Sequence, residues 1–263
     1  MRAFRGTGSG IAFAFAIAAG GWAAAAPSGV TIAVIQSSEA DGQSGRRMLA
    51  VEAPVFSGDD IITGPVGEAQ IRFHDGTRLV VGPNSLMTID AFVFDGNATA
   101  SDFSIETVRG AFRFITGNGP KDAYSITTPT AVIGVRGTEF DVNVEATTGV
   151  TRVANFTGTT RICRRSDAEI TDPNDPERHL PRCIESSNPC GVSIVRPERG
   201  IYEYRDQRDR NRELAHYFRY VGDQSGLLSD FQVSTERCGD LSVPEPPRSD
   251  DSYPLPTKPV SPY

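Results

Sequence analysis

One stretch limits what this chain can become more than any other: Thr128-Pro129-Thr130-Ala131-Val132-Ile133-Gly134-Val135-Arg136-Gly137-Thr138-Glu139-Phe140-Asp141-Val142. A single arginine sits in a run that is otherwise apolar, threonine or glycine. Strict alternation follows, with Phe140, Val142 and Val144 on one side and Glu139, Asp141, Asn143 and Glu145 on the other. Successive side chains of an extended backbone point to opposite faces, so this alternation predicts a half-buried strand. The strand is entered through a glycine-flanked arginine.

The same pattern runs from Val30 to Val153. Residues Ala69, Ile71 and Phe73 alternate with Gln70, Arg72 and His74, and the first set is expected inward, the second outward. Asp75-Gly76 then precedes Thr77 to Val81, and Asp-Gly between two β-rich runs is a strong hairpin signal because both turn residues must tolerate positive φ. Leu86 to Phe94 reads as a further strand. Ser104 to Val108 and Ala111 to Ile115 read as two more, separated at Gly110. Turns recur about every eight to twelve residues, which is the spacing of all-β sandwiches, barrels or solenoids. The interval is not constant, so periodicity alone does not specify a regular solenoid.

The first 26 residues are of a different kind. Arg2 and Arg5 precede the apolar run Ile11 to Ala19 and the small residues Ala23 to Ala26. This is the layout of a secretory signal peptide, with cleavage expected near Ala25 or Ala26. The run falls short of the roughly 20 residues that a membrane span needs. Loss of Arg2 and Arg5 takes the formal charge from −7 to −9, since no acid precedes residue 27. Only two lysines, Lys121 and Lys258, are present. So acidic a chain is a poor general ligand for nucleic acid, whose phosphates call for lysine and arginine.

An exported chain folds in an oxidising compartment, so Cys163, Cys183, Cys190 and Cys238 are expected to form two disulfides. Their spacing lacks the close pairs of a zinc site. Residues 164–189 are polar, with Pro173, Pro176, Pro181 and Pro189, and are flanked by Cys163 and Cys190. An insertion tied at its base predicts Cys163–Cys190, leaving Cys183–Cys238. Downstream, Leu214, Tyr217, Phe218 and Val221 recur at helical spacing and predict a helix within residues 203–221. The last twenty residues hold seven prolines and are expected to stay extended or disordered.

Together these pieces resemble the FecR domain family. The resemblance rests on Phe56 to Gly64, the Asp75-Gly76-Thr77 turn, Gly82-Pro83-Asn84-Ser85, Gly110-Ala111-Phe112-Arg113-Phe114, and Thr128 to Val142 with its Gly-Val-Arg-Gly-Thr core. It spans roughly residues 28–160, and reaches residue 205 if Val192 to Ile201 is the closing strand. It implies an extracytoplasmic, non-enzymatic, all-β domain, either β-solenoid-like or a two-sheet stack of short strands, here with a disulfide-tied loop and a short C-terminal helix. The expected divisions are a signal peptide (1–26), a FecR-like domain (27–205), a helical cysteine-bearing extension (206–243) and a proline-rich tail (244–263). Regulators of this family join a cytoplasmic sigma-binding segment and a membrane helix to the domain. With about ten residues ahead of its apolar run, this chain is expected to make no sigma-factor contact and to carry no membrane span once processed. It looks like a stand-alone exported FecR-domain protein, periplasmic or secreted.

The residues expected to matter are therefore structural ones: Asp75 and Gly76 in a turn, and Gly134, Arg136, Gly137 and Thr138 in the central motif. Arg136 is expected to tie its turn to nearby carbonyls, or to Glu139 or Asp141, because a guanidinium with five donors is costly to bury unpaired. His74 beside Asp75 reads as an outward hairpin residue rather than an acid/base partner. His179 and His216 are isolated. The acids between Asp167 and Glu177 lack the calcium-loop pattern, and Arg205, Arg208, Arg210 and Arg212 alternate with acids as a self-paired helix face does. No paired acid and base, activated nucleophile or phosphate loop emerges, so no catalytic residue and no cofactor or metal is expected. Two non-enzymatic readings remain: a protein-interaction or signalling module with an extracytoplasmic partner, and a structural or glycan-binding envelope protein.

Overall fold

In a computed structural model the described residues are 26–94, 99–120, 122–165, 182–197, 200–239 and 241. The signal-like segment up to residue 25, most of the polar insertion (166–181, with His179 and the acids Asp167 to Glu177) and the proline-rich tail lie outside them. The strands are β1 (Gly29–Ile35), β2 (Ser38–Asp41), β3 (Arg47–Met48), β4 (Pro54–Val55), β5 (Asp60–Thr63), β6 (Glu68–Phe73), β7 (Arg78–Val81), β8 (Leu86–Phe94), β9 (Ala100–Ile115), β10 (Tyr124–Thr127), β11 (Ala131–Val144), β12 (Thr151–Arg164), β13 (Cys183–Ser186), β14 (Gly191–Arg196) and β15 (Gly200–Glu203). Two helices follow, α1 (Gln207–Tyr217) and α2 (Arg219–Gly222). The chain is all-β with a short C-terminal helical segment.

Three long strands organise the rest. β9 has 16 residues, and β11 and β12 have 14 each. Each changes partners part-way. The first half of β9 lies between β8 and β10, and its second half between β7 and β11. The first half of β11 pairs with β10 and its second half with β9. The start of β12 pairs with β14 and its end with β13. One layer therefore runs β4-β1-β6-β7-β9-β11-β12-β14-β15, and the other runs β3-β2-β5-β8-β9-β10-β11-β12-β13. All ladders are antiparallel except β9–β10.

The bend is visible in one distance. Eleven residues of straight strand would separate Phe103 from Phe114 by about 36 Å, yet their ring centroids are 5.5 Å apart. β9 therefore folds back on itself. It is a single strand bent at Gly110, not the two strands its sequence suggests. β11 and β12 bend side by side, at Gly137 (φ 62°) and Gly158 (φ 70°), where their register shifts. A Cβ on Gly158 would sit 2.1 Å from the Gly137 carbonyl oxygen, so this corner needs glycine. The main core fills the space between the layers, with Ile61, Met87, Phe103 and Ile133 from one and Ile71, Leu79, Phe114 and Phe140 from the other.

The C-terminal segment adds a third layer. Leu214, Phe218, Val221, Val233 and Cys238 pack on Ile115, Ala154, Phe156 and Val192, and Leu227 and Phe231 pack on Val80. α1 begins where Asp206 accepts hydrogen bonds from the Arg208 and Asp209 amides. It stops at Phe218, whose φ of −112° and ψ of 85° are not helical, so the expected single helix is two. This cap explains a second departure. Gln70 and Asp141, expected outward and wet, are 1% and 2% exposed because residues 213–232 cover their face.

The disulfides also differ from expectation. They join Cys163 to Cys183 and Cys190 to Cys238. The reason is local pairing. The chain after the insertion returns as β13 directly against β12, which puts Cys183 opposite Cys163 in register. Cys190, at the entry to β14, faces the cap instead and holds its end.

Candidate interaction face

The outer surfaces of the two layers have opposite characters. On the capped layer, Arg113 is fully buried. Its Nε donates to Asp141 Oδ1 at 2.7 Å, and its Nη2 to Asp141 Oδ2 at 2.9 Å and to the Tyr220 carbonyl at 3.1 Å. Its Nη1 donates to Gln224 Oε1. The guanidinium also lies against the rings of Phe156 and Tyr220. Gln70 donates to the Gly226 carbonyl at 3.0 Å and accepts from the Leu228 amide at 3.0 Å. The Tyr220 hydroxyl donates to Glu68 at 2.9 Å. Arg152 donates to Glu213 at 3.1 Å and lies 3.6 Å from the Tyr217 ring centroid. Each of these charges has a partner, Asp141 within the sheet and Arg113, Glu68 and Arg152 across the seam between sheet and cap, as buried charges require.

Electrostatics here favour silence over chemistry. Burial pushes the Asp141 carboxyl up, while Arg113 pulls it back. Burial, then Glu68, pushes the Tyr220 hydroxyl far above its ordinary value, and burial with Glu213 does the same to Tyr204. Those phenols stay protonated and act as fixed donors. Among the described residues no group of three His, Cys, Asp or Glu could hold a metal ion.

Among the described residues, none caps the outer surface of the other layer. Register sets its outward positions in rows across the strands. One row reads Asp60, Thr88, Glu106, Thr127 and Val132, and the next Ser104, Ser125, Gly134, Arg161 and Glu185. Short hydroxyl side chains fill its middle. Arg136 projects from it and is exposed, with no hydrogen bond or ion pair to any described residue. The expectation that Arg136 ties its turn is therefore corrected: Gly137 and Gly158 turn the bulge, Asn155 Nδ2 donates to the Gly158 carbonyl at 3.2 Å, and Asp141 is taken by Arg113. Thr138 is buried beside them, its amide donating to Thr116 Oγ1 at 2.9 Å.

Asp75 and Gly76 close the β6–β7 hairpin, but not as a two-residue turn. Only Gly76 has positive φ (84°), and its amide donates to the Phe73 carbonyl at 3.0 Å, the type I turn with a glycine bulge. The buried Asp75 carboxylate accepts from the Thr77 amide at 2.9 Å, the Thr77 hydroxyl at 2.7 Å and the Tyr124 hydroxyl at 2.8 Å. His74 and His216 are exposed.

Residues 59–161 match the model of the FecR protein family. Over that stretch the chain is similar to the FecR protein family. The match runs from the start of β5 through the three bent strands and ends in β12. The cap and all four cysteines lie beyond it. Two crystal structures of a candidate anti-sigma factor from Parabacteroides distasonis ATCC 8503, at 1.65 and 2.50 Å, are similar at 17% identity with TM-scores of 0.39 and 0.40. The matches cover 55% and 60% of this chain and 58% and 64% of those chains. No curated protein matches the sequence.

Sequence reasoning missed Arg113 as the hub of the capped face. The signal was there in Phe112-Arg113-Phe114, an arginine at a strand-interior position between two core phenylalanines.

Proposed function

We propose that this chain is an exported, non-enzymatic interaction or signalling module of the cell envelope, acting through its FecR domain on an extracytoplasmic protein. The FecR-domain match carries the reading. Two disulfides with no free cysteine among the described residues suit folding in an oxidising compartment, periplasmic or extracellular. No helix of the described residues is long and apolar enough to cross a membrane. The titratable groups buried at the capped face are engaged with each other and leave nothing poised for acid/base work. In this role the chain needs neither nucleic acid nor a sigma factor.

The second reading is a structural or glycan-binding envelope protein. Carbohydrate sites lean on exposed aromatic faces, and every described aromatic side chain here is buried or half-buried, which favours a protein partner. Affinity capture of the processed protein from an envelope extract, beside a pull-down on purified peptidoglycan, tests the choice. Specific protein partners without glycan retention are expected. Glycan retention alone overturns the reading.

A further inference from the structure

We infer that Arg136 and Arg161, flanking Gly134 on the uncapped layer, form a docking point for a carboxylate-rich segment of the protein partner. The inference deepens the interaction reading above and rests on it.

Arg161 stands directly opposite Gly134, and Arg136 opposite Thr159, so the two arginines are diagonal neighbours on adjacent strands. Diagonal positions on one sheet face have Cβ atoms about 7–8 Å apart, within reach of long side chains. Two guanidiniums at that spacing converge on one carboxylate or on two adjacent ones. Each offers five donors and no acceptor. Both arginines are exposed, and neither pairs with a described residue. Glu185 faces Arg161 in register yet makes no ion pair with it. In a chain with 33 acids against 26 lysines and arginines, two exposed guanidiniums without a partner among the described residues are not what charge balance alone would leave.

Gly134 supplies the independent observation. Its φ is not positive, and a Cβ there would meet nothing nearer than the Arg161 carbonyl oxygen at 3.9 Å. The fold does not need glycine at this position, unlike Gly137 and Gly158. Glycine inside a strand costs about 0.5–1 kcal/mol relative to alanine. A strand-interior glycine with no bend to make marks a close approach by another group. Its face neighbour on β10 is the short Ser125, so the backbone is bare from Ser125 across to Arg161. An extended acidic segment can lie there with its carboxylates between the two arginines. The absence of an exposed described aromatic favours peptide over glycan as the source of those carboxylates.

The test is fluorescence anisotropy at low ionic strength with a labelled octaglutamate peptide and an octalysine control. The proteins are the processed chain, Arg136→Ala/Arg161→Ala and Gly134→Val. Octaglutamate is expected to bind and octalysine not. The double variant should bind about tenfold more weakly or worse, as loss of charge-assisted contacts predicts. Gly134→Val should weaken binding while its Tm equals or exceeds that of the parent, an outcome a purely structural glycine would not give. Equal binding by parent and double variant, or none by the parent, overturns the site. Retention on peptidoglycan that the double variant loses assigns the arginines to a glycan carboxylate, and a dimer that the double variant dissolves assigns them to a second copy. Either result overturns the protein-partner assignment. If the envelope extract yields no partner while octaglutamate binding still depends on the arginines, the interaction reading fails and the anion site stands.

Discussion

The two outer faces of this molecule come from the same three strands and solve charge in opposite ways. On the capped face, Arg113, Arg152, Glu68 and Asp141 are 5% exposed or less; Asp141 meets Arg113 within the sheet, and the other three meet partners across the seam. On the open face, Arg136 and Arg161 are exposed and unpaired among the described residues. A buried ion must be matched, because an unmatched one costs several kcal/mol. An exposed ion need not be, since water solvates it. The fold therefore fixes the residues of the first face and leaves those of the second to serve other ends. Stability should reside under the cap and recognition on the bare sheet.

The sharpest way to break that division is Arg113→Ala. It strands the Asp141 carboxylate and removes the donor to Gln224 and to the Tyr220 carbonyl, so a loss of about 3–5 kcal/mol is expected. Urea denaturation measures it. A loss under 1 kcal/mol would mean that the cap is not held through this network.

The disulfides come next. Cys190–Cys238 closes 48 residues of sequence separation and Cys163–Cys183 closes 20. On the chain-entropy model these contribute about 4 and about 3 kcal/mol. Cys238→Ser should therefore cost more than Cys183→Ser, and only the former should speed hydrogen exchange across residues 207–238. Peptide mapping without reduction checks the pairing itself. Equal exchange in both variants would separate the cap from its disulfide.

What the sequence made legible follows this same line. Inward positions such as Phe73, Phe140 and Val142 could be read from alternation, because period two is fixed by the backbone. So could the helical face of Leu214, Phe218 and Val221. The bends were harder. Gly110 looks like a turn and is a corner, since only the pairing partners on each side distinguish the two. The burial of Gln70 and Asp141 was illegible locally: it depends on residues 213–232, far along the chain. Proximity in sequence also misled at Arg136, where Glu139 and Asp141 are near in number but belong to the other side of a bulge. The disulfides failed for a like reason, because a return strand and not loop length chose Cys183 for Cys163.

On the open face the expected stability effects are small. Arg136→Ala should change unfolding free energy by no more than about 0.5 kcal/mol, as for a surface substitution without partners. Thermal denaturation beside Arg113→Ala gives the contrast directly. A loss at Arg136 above 1 kcal/mol would show a structural contact and would blur the division between the faces.

The smallest effect tests the acidic end of the open face. Asp90 is exposed and occupies a bulge in β8, and its carboxyl is raised above the ordinary range by partial burial, then by Glu106 and Asp60. An acid whose folded value exceeds its unfolded one binds protons more tightly when folded. Between the two values the native state holds more protons, so stability falls as pH rises through the folded value. At neutral pH Asp90 is therefore slightly destabilising, and solvent screening limits the effect to a few tenths of a kcal/mol. Asp90→Asn should raise the denaturation midpoint a little at pH 7 and lose that advantage near pH 3, where the native carboxyl is already protonated. A lower midpoint at pH 7 would mean that Asp90 serves the fold, placing structural charge on the face assigned here to recognition.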